Sequence, residues 1–126
     1  MGAEESSGAG GVDLSVLARL RESLREHGDD VVQELLGVFE NEGVKRLAAM
    51  DRALLSGDVS TVQLYAHTLR GSAQLIGAHR LAGLSARLED AARDGEVEDL
   101  GVLFADLRDE YQAVARDLEL ERRGRA

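Results

Sequence analysis

The stretch AHTLRGSAQLIGAHRLAGLSARLE, residues 66–89, contains two helical patterns that meet at a glycine. On each side of Gly77, apolar residues recur at steps of three and four, which is the period of an amphipathic helix. The first series is Val62, Ala66, Leu69, Ala73 and Ile76, and the second is Leu81, Leu84, Leu88 and Ala91. The turn around residues 77–79 is short, so the two helices are predicted to pack antiparallel as a hairpin.

Three other segments carry the same helical period. A short helix is predicted from an Asp13 cap to about His27, a long one from Asp29 or Asp30 to Ser56, and a last one from about Val97 to Glu121. Asp58 is predicted to cap the helix before Gly77, and Gly43 in the long apolar stripe indicates a bend or the close approach of another helix. The predicted class is all-α: an antiparallel four-helix bundle with a short additional N-terminal helix.

The composition limits both organisation and function. The chain has 126 residues, no proline and 3% aromatic residues, which favours a single helical domain. We predict a flexible tail over 1–11, the bundle over 12–122 and a short tail over 123–126. The net charge of −9 disfavours nucleic acid or an anionic membrane as partner. Without cysteine, an apolar span or a signal peptide, the protein is expected to be cytoplasmic, and a monomer is expected.

His67 is the candidate reactive residue. At about 100° per residue it points roughly 130° away from the apolar stripe of its helix, so it should be exposed. Its neighbours on that face are predicted to be Gln63, Arg70, Gly71, Gln74 and Ala78. Leu64 and Leu75 point slightly beyond it, where they either pack under the first short helix or form an apolar rim for a partner.

This pattern suits a histidine that carries a phosphoryl group. A neutral imidazole nitrogen is a competent nucleophile near pH 7. Arg70 and Gln74 can bind phosphoryl oxygens, and Gly71 leaves room for an approaching active site. The sequence contains no glycine-rich phosphate loop and no acidic metal cluster, so we expect a carrier with no cofactor or metal of its own rather than an enzyme.

The same residues resemble the histidine-containing phosphotransfer (HPt) domain of two-component phosphorelays. The matching positions are His67, Leu69, Arg70, Gly71, Ser72, Ala73, Gly77, Ala78, Leu81, Leu84, Leu88 and Glu89, with Leu36, Phe39, Gly57 and Asp58 upstream. The resemblance implies a four-helix bundle in which His67 takes a phosphoryl group from a receiver-domain aspartyl phosphate and passes it to another receiver. It also implies that the receiver holds Mg²⁺ and that a hybrid histidine kinase is a possible partner. Arg70 departs from the lysine usual in the family.

Other readings stay open from the sequence alone. The rival class is a helical adaptor that binds a signalling partner without being phosphorylated, and a small hydrolase is weaker because no nucleophile has a partnered base. His27 and His79 are interpreted as polar residues near helix ends. Four acidic residues of the last helix are interpreted as its solvated face: Asp106, Asp109, Glu110 and Asp117.

Overall fold

The computed structural model describes residues 10–124, which form five α-helices and no strand. The helices are α1 (Leu14–Ser23), α2 (Asp29–Ser56), α3 (Val59–Leu75), α4 (His79–Asp94) and α5 (Val97–Arg123), with a 3-10 turn at Arg25–His27 between α1 and α2. Helices α2 to α5 form the bundle, and α1 lies against one end, which confirms the predicted fold class. Within residues 10–124, no helix combines the length and apolar character needed to cross a membrane.

The helix ends follow the residue types at the caps. The Asp13 side chain accepts a hydrogen bond from Ser15 N at the start of α1, and Asp58 accepts one from Thr61 N at the start of α3. Gly57 and Gly95 end α2 and α4 in the left-handed conformation, where glycine has no steric penalty. These caps confirm most of the predicted boundaries, although α1 ends at Ser23 and the 3-10 turn covers the residues up to His27.

The bundle core is built from the predicted apolar stripes. Every member of the α3 and α4 stripes is buried, and so is the inner face of α5. The α5 residues are Leu100, Leu103, Leu107, Tyr111, Val114 and Leu118. Along α2 the stripe is buried from Val32 to Gly43 and at Met50, while Leu47 and Leu54 are half-buried. The one core therefore involves all four long helices.

Gly43 of α2 lies where Tyr111 of α5 packs closely against the helix backbone. The Tyr111 hydroxyl donates to the Glu40 carbonyl at 2.6 Å, and the Tyr111 ring stacks on Phe39 with 5.9 Å between centroids. A Cβ at Gly43 would overlap the Tyr111 hydroxyl and ring. Burial, reinforced by the charge of Glu40, raises the pKa of Tyr111 to about 12. Gly43 was interpreted from the sequence as either a bend or the close approach of another helix, and the structure shows the close approach.

The segment before α1 is attached to α5 by two carboxylates. Gly11 N donates to Glu110 Oε2 at 2.7 Å, and Val12 N donates to Asp117 Oδ2 at 2.9 Å. Glu110 is only 8% exposed. The interpretation of these two acids as solvated was therefore wrong, because they satisfy backbone amides of the N-terminal segment. The packed part of the chain reaches back at least to Gly11; the rest of the predicted tail, residues 1–9, and residues 125–126 lie outside the described residues.

Helix α1 is fastened to the turn between α3 and α4. Asp13 N donates to the Gly77 carbonyl at 2.8 Å, and Asp13 Oδ2 lies 2.9 Å from His79 Nε2. Hydrogen bonds from Ser15 and then from His79 lower the pKa of Asp13 to about 2. His79 thus has a contact within the fold, whereas His27 is exposed in the 3-10 turn.

Replacing Gly43 with alanine should reduce the free energy of unfolding, because the added methyl group must displace Tyr111. Overpacking of this kind costs about 1–3 kcal/mol. Urea denaturation of Gly43→Ala beside Gly83→Ala measures it, since a Cβ at Gly83 meets nothing within 4 Å and alanine there should stabilise the helix. Equal stabilisation by both substitutions would contradict the close approach of α5.

Candidate functional site

The candidate site is on the outer face of α3. The His67 side chain is 59% exposed, while Ala66 and Leu69 on either side of it are completely buried and fix the helix backbone. The sequence prediction that His67 is exposed is confirmed. A reactive side chain on a rigid, packed helix is held in position without needing a mobile loop.

Glu89 on the neighbouring helix α4 holds the imidazole. Its Oε2 lies 2.8 Å from His67 Nδ1, and the Glu89 side chain is only 11% exposed. Two residues separated by 22 positions in sequence meet because α3 and α4 form a tight hairpin. The nearly buried carboxylate contacts Nδ1, while most of the imidazole ring is exposed to solvent.

This contact assigns the two ring nitrogens. An ionised carboxylate only accepts hydrogen bonds, so the short contact requires a proton on Nδ1. Arg70 Nη2 also lies near Nδ1, at 3.4 Å, but a guanidinium only donates and would require the opposite tautomer. The 2.8 Å contact is the stronger one and decides the assignment. Nε2, which has no hydrogen-bond partner among residues 10–124, then carries the lone pair.

Arg70 forms an ion pair with the Glu89 carboxylate. Its Nη1 lies 3.2 Å from Glu89 Oε1, and its side chain is 35% exposed. The ion pair lacks a well-directed hydrogen bond, since buried Oε1 has no partner with hydrogen-bond geometry. A guanidinium held mainly by charge can turn toward another anion at low cost, and Arg70 Nη2 lies 3.4 Å from His67 Nδ1.

The other predicted neighbours of His67 on α3 are Gln63, Gly71 and Gln74. A Cβ at Gly71 would meet nothing within 4 Å, so the space beside the histidine is open. Gln74 is exposed and Gln63 half-buried, and within residues 10–124 neither one hydrogen-bonds to His67, Arg70 or Glu89. No group of three or more His, Asp or Glu side chains in that range is placed to hold a metal ion.

The apolar rim around the site is exposed. Leu64 and Leu75 are 60% and 51% exposed, so neither one packs under α1. Leu75 borders a depression of about 120 Å³ between α2 and α3, which also includes Val38 and Phe39. Of the two alternatives for these leucines, the exposed rim is the one found.

Ala78 does not belong to the exposed patch, and its prediction was wrong. Its side chain is completely buried, and the residue is the N-cap of α4. The helical count assumed that α3 continues past Ile76, but the helix ends at Leu75 and Gly77 turns the chain with a φ of +79°. The turn reverses direction and carries Ala78 into the core.

Glu89 is the site residue that the sequence reasoning missed. It was noted only as part of a family pattern, not as a partner of His67. A signal exists in α4, where a second row at helical spacing consists of Ala82, Ser85, Glu89 and Ala92, all buried. A carboxylate in a row of small buried residues needs a hydrogen-bond partner, and the hairpin provides it from α3.

Comparison with known proteins places this geometry in a family. The Hpt domain model matches residues 34–117, two thirds of the chain. This chain belongs to the Hpt domain family. A solved structure, histidine-containing phosphotransfer protein B (HptB) from Pseudomonas aeruginosa PAO1, is 31% identical with a TM-score of 0.84, covering 91% of this chain and 96% of that one. No curated protein gave a significant match.

Hpt domains are histidine phosphotransfer carriers of two-component signalling, and they pass phosphoryl groups to receiver domains. Membership of the Hpt family agrees with the helical bundle and limits the candidates for the phosphorylated residue to the histidines. Of the three histidines in the chain, only His67 combines an exposed ring, a buried carboxylate on Nδ1 and an open space beside it. His79 is turned to Asp13 at the end of the bundle.

The assigned tautomer can be tested by ¹⁵N NMR of the imidazole. At neutral pH the His67 signals should show a proton on Nδ1 and a lone pair on Nε2, because Glu89 accepts from Nδ1. Glu89→Ala should convert this single form into a mixture of tautomers. Glu119→Ala, an exposed position on α5, is the control. An unchanged His67 tautomer in Glu89→Ala would show that the carboxylate does not orient the ring.

Proposed function

We propose that this protein is a phosphorelay carrier in which His67 accepts a phosphoryl group from the aspartyl phosphate of one receiver domain and transfers it to the aspartate of another. The observation that carries the proposal is the exposed imidazole of His67 with Nδ1 held by buried Glu89. Membership of the Hpt family supports the activity class, and the geometry supports the choice of residue.

Phosphorylation of His67 requires no general base. The Nε2 lone pair forms the N–P bond while the P–O bond to the receiver aspartate breaks, and the carboxylate leaves with the electron pair. The Nδ1 proton stays in place throughout, so the phosphorylated ring is an imidazolium. When the phosphoryl group passes to the second receiver, a P–O bond forms to that receiver's aspartate and the N–P bond breaks. The imidazole leaves as the neutral ring with its Nδ1 proton, as at the start.

Glu89 stabilises the charge that this chemistry creates. The ring becomes positive when Nε2 is phosphorylated, and the carboxylate 2.8 Å from Nδ1 changes from a partner of a neutral donor into a partner of a cation. Charge-assisted hydrogen bonds are roughly twice as strong as neutral ones. Because Glu89 is nearly buried, its interaction with the ring is screened little by solvent.

Arg70 is proposed to bind the phosphoryl oxygens. Its guanidinium is already 3.4 Å from the imidazole and is held by Glu89 without good hydrogen-bond geometry. Once the ring is cationic, Glu89 has a second positive partner, which weakens its hold on Arg70. A planar guanidinium can then donate two hydrogen bonds to a phosphoryl group, where the family's usual lysine would act as a point charge.

The receiver is proposed to supply the other parts. Phosphoryl transfer depends on in-line positioning and charge neutralisation, and this chain offers one nucleophile and one nearby cation. The Mg²⁺ and the acceptor carboxylate would belong to the receiver domain. The exposed rim of Leu64 and Leu75, together with the polar side chains of Gln63 and Gln74, is the surface on which we expect the receiver to dock.

Labelling from a phosphorylated receiver domain tests the role of His67. The wild type should acquire an acid-labile, alkali-stable label, and His67→Gln should acquire none because the nucleophilic nitrogen is lost. His27→Gln, which removes an exposed histidine elsewhere, should be labelled like the wild type. Equal labelling of His67→Gln, or no label on any of these proteins with several receivers, would support the adaptor alternative instead.

Enlarging Gly71 tests the need for access to the histidine. Gly71→Leu should preserve the fold and add up to ~1 kcal/mol of helix stability, because the position is open and glycine is the poorer helix former. The rate of phosphoryl transfer should nevertheless fall by at least about tenfold, the effect of misplacing reacting groups. Gly83→Leu, at an open glycine on α4, is the matched control. A transfer rate that Gly71→Leu leaves unchanged would refute the access argument.

A further inference from the structure

A second apolar depression lies at the end of the bundle where α2 ends and where α3 and α5 begin. We name it the end hollow; it encloses about 240 Å³. Its apolar lining is Ala53, Leu54, Val59, Val62, Val97 and Leu100. Sites for small molecules usually enclose roughly 300–1,000 Å³, so the end hollow is better matched to one or two apolar side chains of a partner.

The end hollow is kept open by glycine. Gly101 is on its wall, inside α5, and a Cβ at this position would meet nothing within 4 Å. Glycine in a helix interior is less favourable than almost any other residue. Because no neighbouring atom excludes a side chain there, the packing of this chain does not require glycine at 101. Gly101 therefore adds no side chain to the wall of the hollow.

An acidic groove adjoins the end hollow on the other side of the first turns of α5. It encloses about 450 Å³, and its charged lining is Arg87, Asp90, Glu96 and Asp99. Asp90 is paired with Arg93, but within residues 10–124 neither Glu96 nor Asp99 has a Lys, Arg or His nitrogen within 4 Å. Three carboxylates thus accompany one arginine in the groove. The groove and the hollow lie on different sides of α5 and meet at its start, where Glu96 lines the groove and Val97 lines the hollow.

We propose that the end hollow and the acidic groove together bind a basic amphipathic segment of a partner protein. An apolar side chain of that segment enters the hollow, and its lysine or arginine side chains lie along Glu96 and Asp99. This chemistry complements both the apolar lining and the uncompensated carboxylates. An apolar segment without positive charge would fill the hollow but leave the carboxylates of the groove unpaired. A basic segment without an apolar side chain would pair with the carboxylates but leave the hollow empty.

The end hollow and the candidate phosphotransfer site are formed by different residues. Val62 on the hollow and His67 are five residues apart on α3, which rotates their directions by about 140°. Val62 therefore points away from the direction of His67. The inference is independent of the chemistry at His67, because none of the site residues contributes to the hollow.

The test uses the whole chain and a short fluorescent helical peptide of leucine, lysine and alanine with one apolar face. Fluorescence anisotropy gives its affinity for the wild type, for Gly101→Leu, which fills the hollow, and for Gly83→Leu, the matched open glycine on α4. Asp99→Asn is compared with Asp106→Asn, an exposed acid on the same helix. A peptide with serine in place of leucine reports binding by charge alone.

Gly101→Leu should weaken binding by at least about tenfold, equivalent to excluding one buried apolar side chain. Asp99→Asn should weaken it by a smaller factor, while Gly83→Leu and Asp106→Asn should leave it unchanged. Amide NMR shifts caused by the peptide should centre on Leu54, Val59 and Val97. Equal affinities of wild type and Gly101→Leu, no binding, or equal binding of the serine peptide would overturn the proposal. Self-association in sedimentation that Gly101→Leu abolishes would identify a second copy as the occupant and overturn it too.

Discussion

The hairpin closed by Gly77 is the constraint on which the rest of this structure depends. Gly77 is buried with a φ of +79°, and a Cβ there would lie 2.6 Å from Val16 Cβ and 3.0 Å from the Asp13 carbonyl oxygen. A side chain would therefore strain the turn and push away α1. Because the turn is tight, α3 and α4 keep one register over their length, and His67 and Glu89, each three turns or so from Gly77, meet at 2.8 Å.

The local charge at the His67 site differs from that of the chain as a whole, whose net charge is −9. At the site one buried carboxylate is shared between an imidazole and a guanidinium, so the surface there is close to neutral when the imidazole is uncharged. Elsewhere carboxylates serve the fold: Glu110 and Asp117 accept from backbone amides that would otherwise lack partners. Carboxylates thus have two roles: Glu89 of α4 contacts the His67 ring of α3, and Glu110 and Asp117 of α5 hold the N-terminal segment.

Periodicity predicted the helices well because each long helix buries a continuous stripe on one side. Val62, Ala66 and Leu69 were assigned to the core, and all three are completely buried. The same rule failed at Ala78, since a helical count has no meaning beyond the residue where the helix ends. It also failed at Glu110, which lies on the helix edge that the N-terminal segment covers, a contact between residues about a hundred positions apart.

The amino-acid sequence by itself determined the helical class, the caps, the hairpin and the exposure of His67, because all of these follow from local spacing and from the backbone preferences of aspartate and glycine. The packing of the helices was needed to show which nitrogen of His67 faces Glu89, that Arg70 pairs with Glu89, and that Tyr111 packs against Gly43. These features depend on pairs of residues far apart in sequence. Their meeting is set by the register between packed helices, and spacing within one helix contains no information about that register.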